Sequence, residues 1–175
     1  TFFVSCERLI DSRLEGKPVL IGGTSDRGVV ASCSYEARKY GVHAAMPMRM
    51  AKLLCPEAIV LRGNSGIYTK YSKLVTDVIN DSVPLYEKSS IDEFYIDVSG
   101  MDRFYGCYKW AIELREKIIR ETHLPISFGL STSKTVAKVL TGEAKPNNHR
   151  RILEGQEQPF LASLSVRKIP MVGDQ

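Results

Sequence analysis

From Ala58 onward, short apolar runs alternate with longer amphipathic ones, and the two kinds of run differ in period. "AIVLRG" is short enough for a buried strand. After Asn64 the chain places Ile67, Tyr71, Leu74, Val75, Val78 and Ile79 on one stripe, the spacing of a helix with one apolar face. "PLYEKS" and "IDEFYIDVSG" then read as two strands with a tight connection near Ser89. "GCYKWAIELREKIIRETH" carries Ala111, Leu114, Arg115 and Ile118 in helical register; "PISFGLS" is a strand, "SKTVAKVLTGEA" a helix and "KPNNHR" a loop. The order is strand, helix, strand, strand, helix, strand. Such an order predicts an α/β (α+β) fold, the split βαβ arrangement of a ferredoxin-like sheet with helices on one face.

The upstream part reads less regularly. "TFFVS" has the composition of a strand cut at its edge, and "CERLIDSRLEGKP" that of a short helix stopped by Gly16 and Pro18. "VLIGG" and "GVVAS" are strand-like runs joined by "TSDRG". "SYEARKYGV" and "MPMRMAKLLCP" predict two short helices, the first closed by Gly41, the second with Pro47 in its first turn. Residues from about 25 to 55 thus form a small insertion in the first repeat of the pattern. Beyond Glu154, "LASLSVRKIPMVGDQ" reads as a linker.

No apolar run approaches the roughly 20 residues that span a bilayer, which argues against a membrane protein. There is no secretory signal pattern and no initiator Met, so the expectation is a piece of a longer protein. Lys and Arg number 24 against 20 Asp and Glu, a net charge of +4 that is compatible with a polyanionic partner. The four cysteines form no CxxC pair and are expected as reduced thiols.

Asp92 and Glu93 head the run "SSIDEFYIDVSG". In mid-strand they would point to opposite faces, and Asp92 would share an otherwise apolar face with Phe94, Ile96 and Val98. A hairpin tip just before the strand lets both acids reach one side, and a divalent cation between them would cancel their repulsion. Hard oxygen donors select Mg²⁺ or Mn²⁺ over zinc. A bare Asp-Glu pair is by itself most often a surface feature. Tyr35 and Arg38 stand three apart, on one side of a helical turn, where a guanidinium beside a phenol suits phosphate oxygens. Lys145 follows a helix and precedes a Pro that fixes its loop. Each of these is individually ordinary.

Together and in this order, "TFFVSCERL", "GKPVLIGG", "VVASCSYEARKYGV", "SSIDEFYIDVSGM", "SFGLSTSKTVAKVLTGEAKPNN" and "VRKIPMVG" resemble the Y-family translesion DNA polymerases, of the DNA polymerase IV (DinB/UmuC-like) kind. The resemblance covers essentially the whole chain. It implies palm at 1–23 and 56–153, fingers at 24–55, and a linker and start of thumb at 154–175, with the rest of the thumb and the little finger absent. It implies template-directed nucleotidyl transfer from a dNTP to a primer 3′-hydroxyl, at damaged DNA, by two-metal catalysis. Asp92 and Glu93 match the catalytic metal-holding acids, with Mg²⁺ the cofactor and Mn²⁺ a substitute. Tyr35, Arg38, Lys145 and Ser32 match triphosphate-binding positions, and Phe2 would offer its backbone N–H there. Phe3 matches the steric gate against a ribose 2′-hydroxyl, and Val30 and Ala31 match the roof over the templating base.

Primer-template DNA and dNTP are the implied partners, with a sliding clamp reached through the missing C-terminal region. The implied setting is a bacterial cytoplasm and the implied fragment a monomer. The family's first metal-binding Asp falls three residues before Thr1, which implies that these 175 residues alone are inactive or nearly so. Met171 departs from the family, which commonly has Gly there. A non-catalytic DNA-binding repair factor of the same fold is the alternative, disfavoured by the joint presence of Asp92, Glu93, Arg38 and Lys145. A nucleotidyl cyclase shares the core and paired acids, but "SYEARKYG" does not suit it.

Overall fold

The computed structural model describes residues 1–101 and 106–173; 174 and 175, the end of the expected thumb segment, lie outside them. The chain divides into two compact units, Thr1–Leu74 and Val75–Gln175.

The first unit is built on a three-stranded sheet. β1 (Val19–Gly22) runs antiparallel to β2 (Val30–Cys33) and parallel to β3 (Ile59–Leu61), in the order β2-β1-β3. Every side chain of Val19, Leu20 and Ile21 is buried, because both faces of the central strand are covered. Leu20 packs with Val30, Cys33, Ala37, Val42, Met48 and Ala51 on one side. Val19 and Ile21 pack with Val4 and Leu14 on the other. Each such apolar side chain contributes about 1.5–3 kcal/mol when fully buried.

"TFFVS" is not a strand. It opens α1 (Phe2–Ile10), which turns Val4 and Cys6 inward. Strand preference of aromatic and β-branched residues depends on context, and the burial of Val4 against Val19 and Ile21, with Cys6 buried as well, overrides it here. α2 (Tyr35–Arg38) and α3 (Met48–Leu54) are the two short helices expected of the insertion.

The divide between units falls within α4 (Ser65–Asn80). Its buried positions are Tyr68, Ser72, Val75, Val78 and Ile79, whereas Leu74 is exposed. The stripe is therefore turned by one residue in its first half: Tyr68, rather than Ile67, is the buried anchor. The cause is a polar partner, described below.

In the second unit, β4 (Tyr86–Lys88) and β5 (Phe94–Ile96) form an antiparallel pair, with Lys88 opposite Phe94. α5 (Cys107–Thr122) buries Leu114, Ile118 and Thr122. β6 (Phe128–Leu130) leads to α6 (Lys134–Ala144), which buries Val136, Val139, Leu140 and Ala144. α6 lies so close to β6 that a Cβ on Gly129 would stand 2.6 Å from the carbonyl oxygen of Ala137. Glycine is required at that approach. β7 (His149–Arg151) pairs in parallel with β6, so the expected loop "KPNNHR" ends as a strand once Phe128 and His149 align. The expected linker likewise contains α7 (Glu157–Ala162) and a 3₁₀ turn at Val166–Lys168, where Lys168 forms a 2.9 Å ion pair with Glu143 of α6.

The order β3, α4, β4, β5, α5, β6 is the one expected from the sequence. Among the described residues the strands pair as three small sheets rather than one. No described helix is long and apolar enough to cross a membrane.

Candidate functional site

In the first unit, Phe2 and Phe3 occupy the first turn of α1, their rings 5.9 Å apart. Helix geometry leaves the first-turn N–H groups, that of Phe2 among them, without intrahelical acceptors. The Phe3 ring stacks on Tyr68 at 4.3 Å between centroids and 15° between planes. The Tyr68 hydroxyl donates to Glu7 Oε1 at 2.6 Å. Burial first, and the hydrogen bond to the Glu7 carboxylate second, push the Tyr68 phenol up to about 12. Phe3 is thus backed by a ring that is itself tied to α1.

β2 presents its residues alternately. Val30 is fully buried and Ala31 exposed, with Ser32 half-buried and Cys33 buried again. Of the two expected roof residues, only Ala31 offers a side chain to the surface; Val30 anchors the strand in the core. Ser34 then caps α2: its Oγ accepts from the N–H of Ala37 at 3.2 Å and from that of Val19 at 2.9 Å.

The cap sets the direction of Tyr35 and Arg38. The Arg38 guanidinium lies 5.2 Å from the centre of the Tyr35 ring, and its head group is exposed. Burial raises the Tyr35 phenol above its usual range, and the Arg38 charge works against that rise. Between them Glu36 accepts from Arg8 of α1 at 2.9 Å. Burial alone would raise Glu36, but the Arg8 hydrogen bond and charge hold its carboxyl below the usual range. Arg8 also donates to the carbonyls of Leu14 and Lys17.

In the second unit, Asp92 and Glu93 sit in the five-residue turn that joins β4 to β5, ahead of the strand. The N–H groups of Ser89 and Ser90 donate to the Glu93 carbonyl at 3.0 and 3.3 Å, closing the turn. Ser90 Oγ donates to Asp92 Oδ1 at 3.0 Å. Glu93 Oε2 accepts from Lys138 of α6 at 2.6 Å. The Glu93 hydrogen bond raises the Lys138 ammonium above its usual value. One turn earlier on α6, Lys134 pairs with Glu87 and lies 5.5 Å from the centre of the Tyr95 ring. α6 therefore lays two cations along the hairpin.

The two adjacent carboxylates, Asp92 exposed and Glu93 half-buried, are hard oxygen donors and fit Mg²⁺, which is commonly held by one or two carboxylates together with substrate phosphates. Among the described residues no cluster of three or more His, Cys, Asp or Glu could hold a metal ion. Lys145 follows α6 directly; its side chain is exposed and makes no hydrogen bond or ion pair among the described residues. Lys138, Ser34, Tyr68 and Arg8 were not singled out from sequence. Lys138 and Glu93 are 45 residues apart, and only the packing of α6 on the hairpin reveals their pairing.

A model of the impB/mucB/samB family matches residues 1–142. The chain belongs to the impB/mucB/samB family. Among curated relatives, the DNA polymerase IV of Treponema denticola is 41% identical over 173 residues, 98% of this chain and 44% of the relative. The DNA polymerase IV of Dehalococcoides mccartyi (strain ATCC BAA-2266 / KCTC 15142 / 195) is 40% identical over 174 residues, covering 98% of this chain and 45% of the relative. The chain thus spans about half the length of the curated relatives it matches. DinB from Sulfolobus solfataricus superposes with a TM-score of 0.90 at 31% identity, over 99% of this chain and 52% of that one. An insertion ternary complex of Dbh DNA polymerase gives the same TM-score, identity and coverage. The family agrees with the resemblance read from the sequence motifs.

Proposed function

We propose that the protein carries palm and fingers (palm 1–23 and 56–153, fingers 24–55, thumb beginning within 154–175) of a template-directed DNA polymerase that copies damaged templates. The observation that carries this reading is the turn at Asp92 and Glu93, two adjacent acids ahead of β5, the first exposed and the second half-buried, in a chain that superposes on Dbh DNA polymerase. The reaction is transfer of a nucleotidyl group from a dNTP to a primer 3′-hydroxyl, with pyrophosphate leaving. When bound at Asp92 and Glu93, Mg²⁺ supplies Lewis-acid stabilisation of the phosphoryl oxygens and lowers the pKa of the primer hydroxyl.

The chain's own residues supply the rest. Arg38 and Tyr35 grip terminal phosphate oxygens, the guanidinium by charge-assisted hydrogen bonds. Lys145 adds a point charge for triphosphate oxygens, and Ser32 and the Phe2 N–H are neutral donors. The Phe3 ring, backed by Tyr68, excludes a 2′-hydroxyl by bulk. Ala31 leaves room over the templating base. The working protein pairs with primer-template DNA in a bacterial cytoplasm and reaches a sliding clamp through segments beyond these residues; the 175 residues by themselves are a monomer.

Primer extension by the full-length protein tests this reading. Asp92→Ala and Glu93→Ala are each expected to abolish dNTP incorporation, and Phe3→Ala to admit ribonucleotides. Incorporation by the acid variants at the parent rate would refute the metal role; unchanged sugar selection by Phe3→Ala would remove it as the gate.

A further inference from the structure

Arg115 stands in the helical register of the apolar stripe of α5, beside buried Leu114 and Ile118, yet it is charged. Its guanidinium makes three hydrogen bonds and, among the described residues, no ion pair. Nε donates to the Ile126 carbonyl at 2.7 Å, just before β6. Nη2 donates to both oxygens of Asn147, the backbone carbonyl at 2.9 Å and Oδ1 at 2.8 Å. Asn147 lies two residues after Lys145, with φ at +45°, a left-handed conformation that Asn tolerates better than most residues.

Among the described residues the rest of this loop is tied at its ends, where the His149 N–H also donates to Asn148 Oδ1 at 2.8 Å. On the near side the Lys145 N–H reaches Gly142 O at 3.4 Å, the last contact of α6. On the far side the Asn148 N–H donates to Ser127 Oγ and its carbonyl accepts from Phe128, both at 3.3 Å. These are long bonds. The shorter contacts that hold the middle come from Arg115, whose planar fork meets two segments at once, a geometry that lysine cannot reproduce. Lys145 itself has no side-chain partner among the described residues, so its position depends on the backbone that carries it.

We infer that Arg115 is a positioning residue for nucleotide binding, holding the 145–148 loop so that Lys145 meets the incoming triphosphate from a fixed base. The inference rests on the triphosphate role proposed for Lys145. An ammonium on a loose loop must be ordered anew at each binding event, and that lost entropy weakens affinity. The chain ordered in advance binds without it.

The test uses the full-length protein with Arg115→Ala, Arg115→Lys, Lys145→Ala and the Arg115→Ala/Lys145→Ala double variant. Amide exchange, dNTP KM, kcat and melting temperature are measured. Arg115→Ala and Arg115→Lys are expected to speed exchange at Asn148 and Phe128 and to raise dNTP KM by about tenfold, with the KM for primer-template unchanged. In the Lys145→Ala background, Arg115→Ala should add less than about twofold, because its effect passes through that lysine. Unchanged exchange, an equal KM rise in both backgrounds, or full activity of Arg115→Lys would each overturn the inference. Unchanged KM in Lys145→Ala would instead refute the lysine's proposed role, whatever the exchange data give. If Arg115→Ala fails to fold, Arg115→Lys and an Arg115→Lys/Lys145→Ala double variant carry the same comparison.

Discussion

Replacing Tyr68 with phenylalanine removes one oxygen and leaves the ring that backs Phe3. The hydroxyl lost is buried (the residue is 4% exposed) and donates to the Glu7 carboxylate at 2.6 Å. A hydrogen bond to a charged group contributes about 1.5–3 kcal/mol. Glu7 is only half-buried and regains water when its partner goes, so the expected loss is at the lower end, about 1.5 kcal/mol. The pH dependence is more diagnostic. The phenol is pushed up to about 12 in the folded protein, against 10.0 when unperturbed. A group raised in this way adds stability that is fully present below the unfolded value and is lost as pH rises through the folded one. Between about pH 8 and about pH 11 the parent should lose about 1.4 kcal/mol through this residue, and the variant nothing.

Urea unfolding of parent and Tyr68→Phe at both pH values measures the difference directly. The stability gap should close almost completely at the higher pH. A gap of the same size at both would mean that Tyr68 is not held protonated by its surroundings, and the reasoning would fail.

Ser34→Ala removes the α2 cap and leaves the buried Val19 N–H without its acceptor, and should cost about 1–2 kcal/mol in urea unfolding. Met171 has φ of +69° and an exposed side chain, so Met171→Gly relieves a left-handed strain of about 1–2 kcal/mol against a glycine entropy cost of about 0.5–1 kcal/mol, and should give a small rise in melting temperature.

The fold was legible where periodicity was long. The helices at 65–80, 107–122 and 134–144 carry enough turns for their stripes to stand out, and the strands between them follow from order. Short segments were not. "TFFVS" has strand composition but lies on a helix, because Val4 packs against Val19 and Ile21 of the sheet once the chain has folded. Asp92 and Glu93 drew notice because adjacent acids are costly within a strand, and the turn relieves that cost. Met171 stood out as a departure from the expected Gly, and its positive φ gives that departure a backbone meaning. The braces could not be read in advance. Arg115 to Asn147, Lys138 to Glu93 and Tyr68 to Glu7 each join residues 32 or more apart in sequence, through contacts that exist only once the elements have packed.

Arg8 joins the helix that begins with Phe2 and Phe3 to the one that bears Tyr35 and Arg38, by way of Glu36. Under the proposed roles, the part that inspects the sugar and the part that grasps the terminal phosphates belong to a single gauge of set span. A nucleotide lengthened by one methylene between ribose and triphosphate could engage either end of that gauge, but not both. Selection by molecular length then comes from the brace itself, with no residue touching the added atoms.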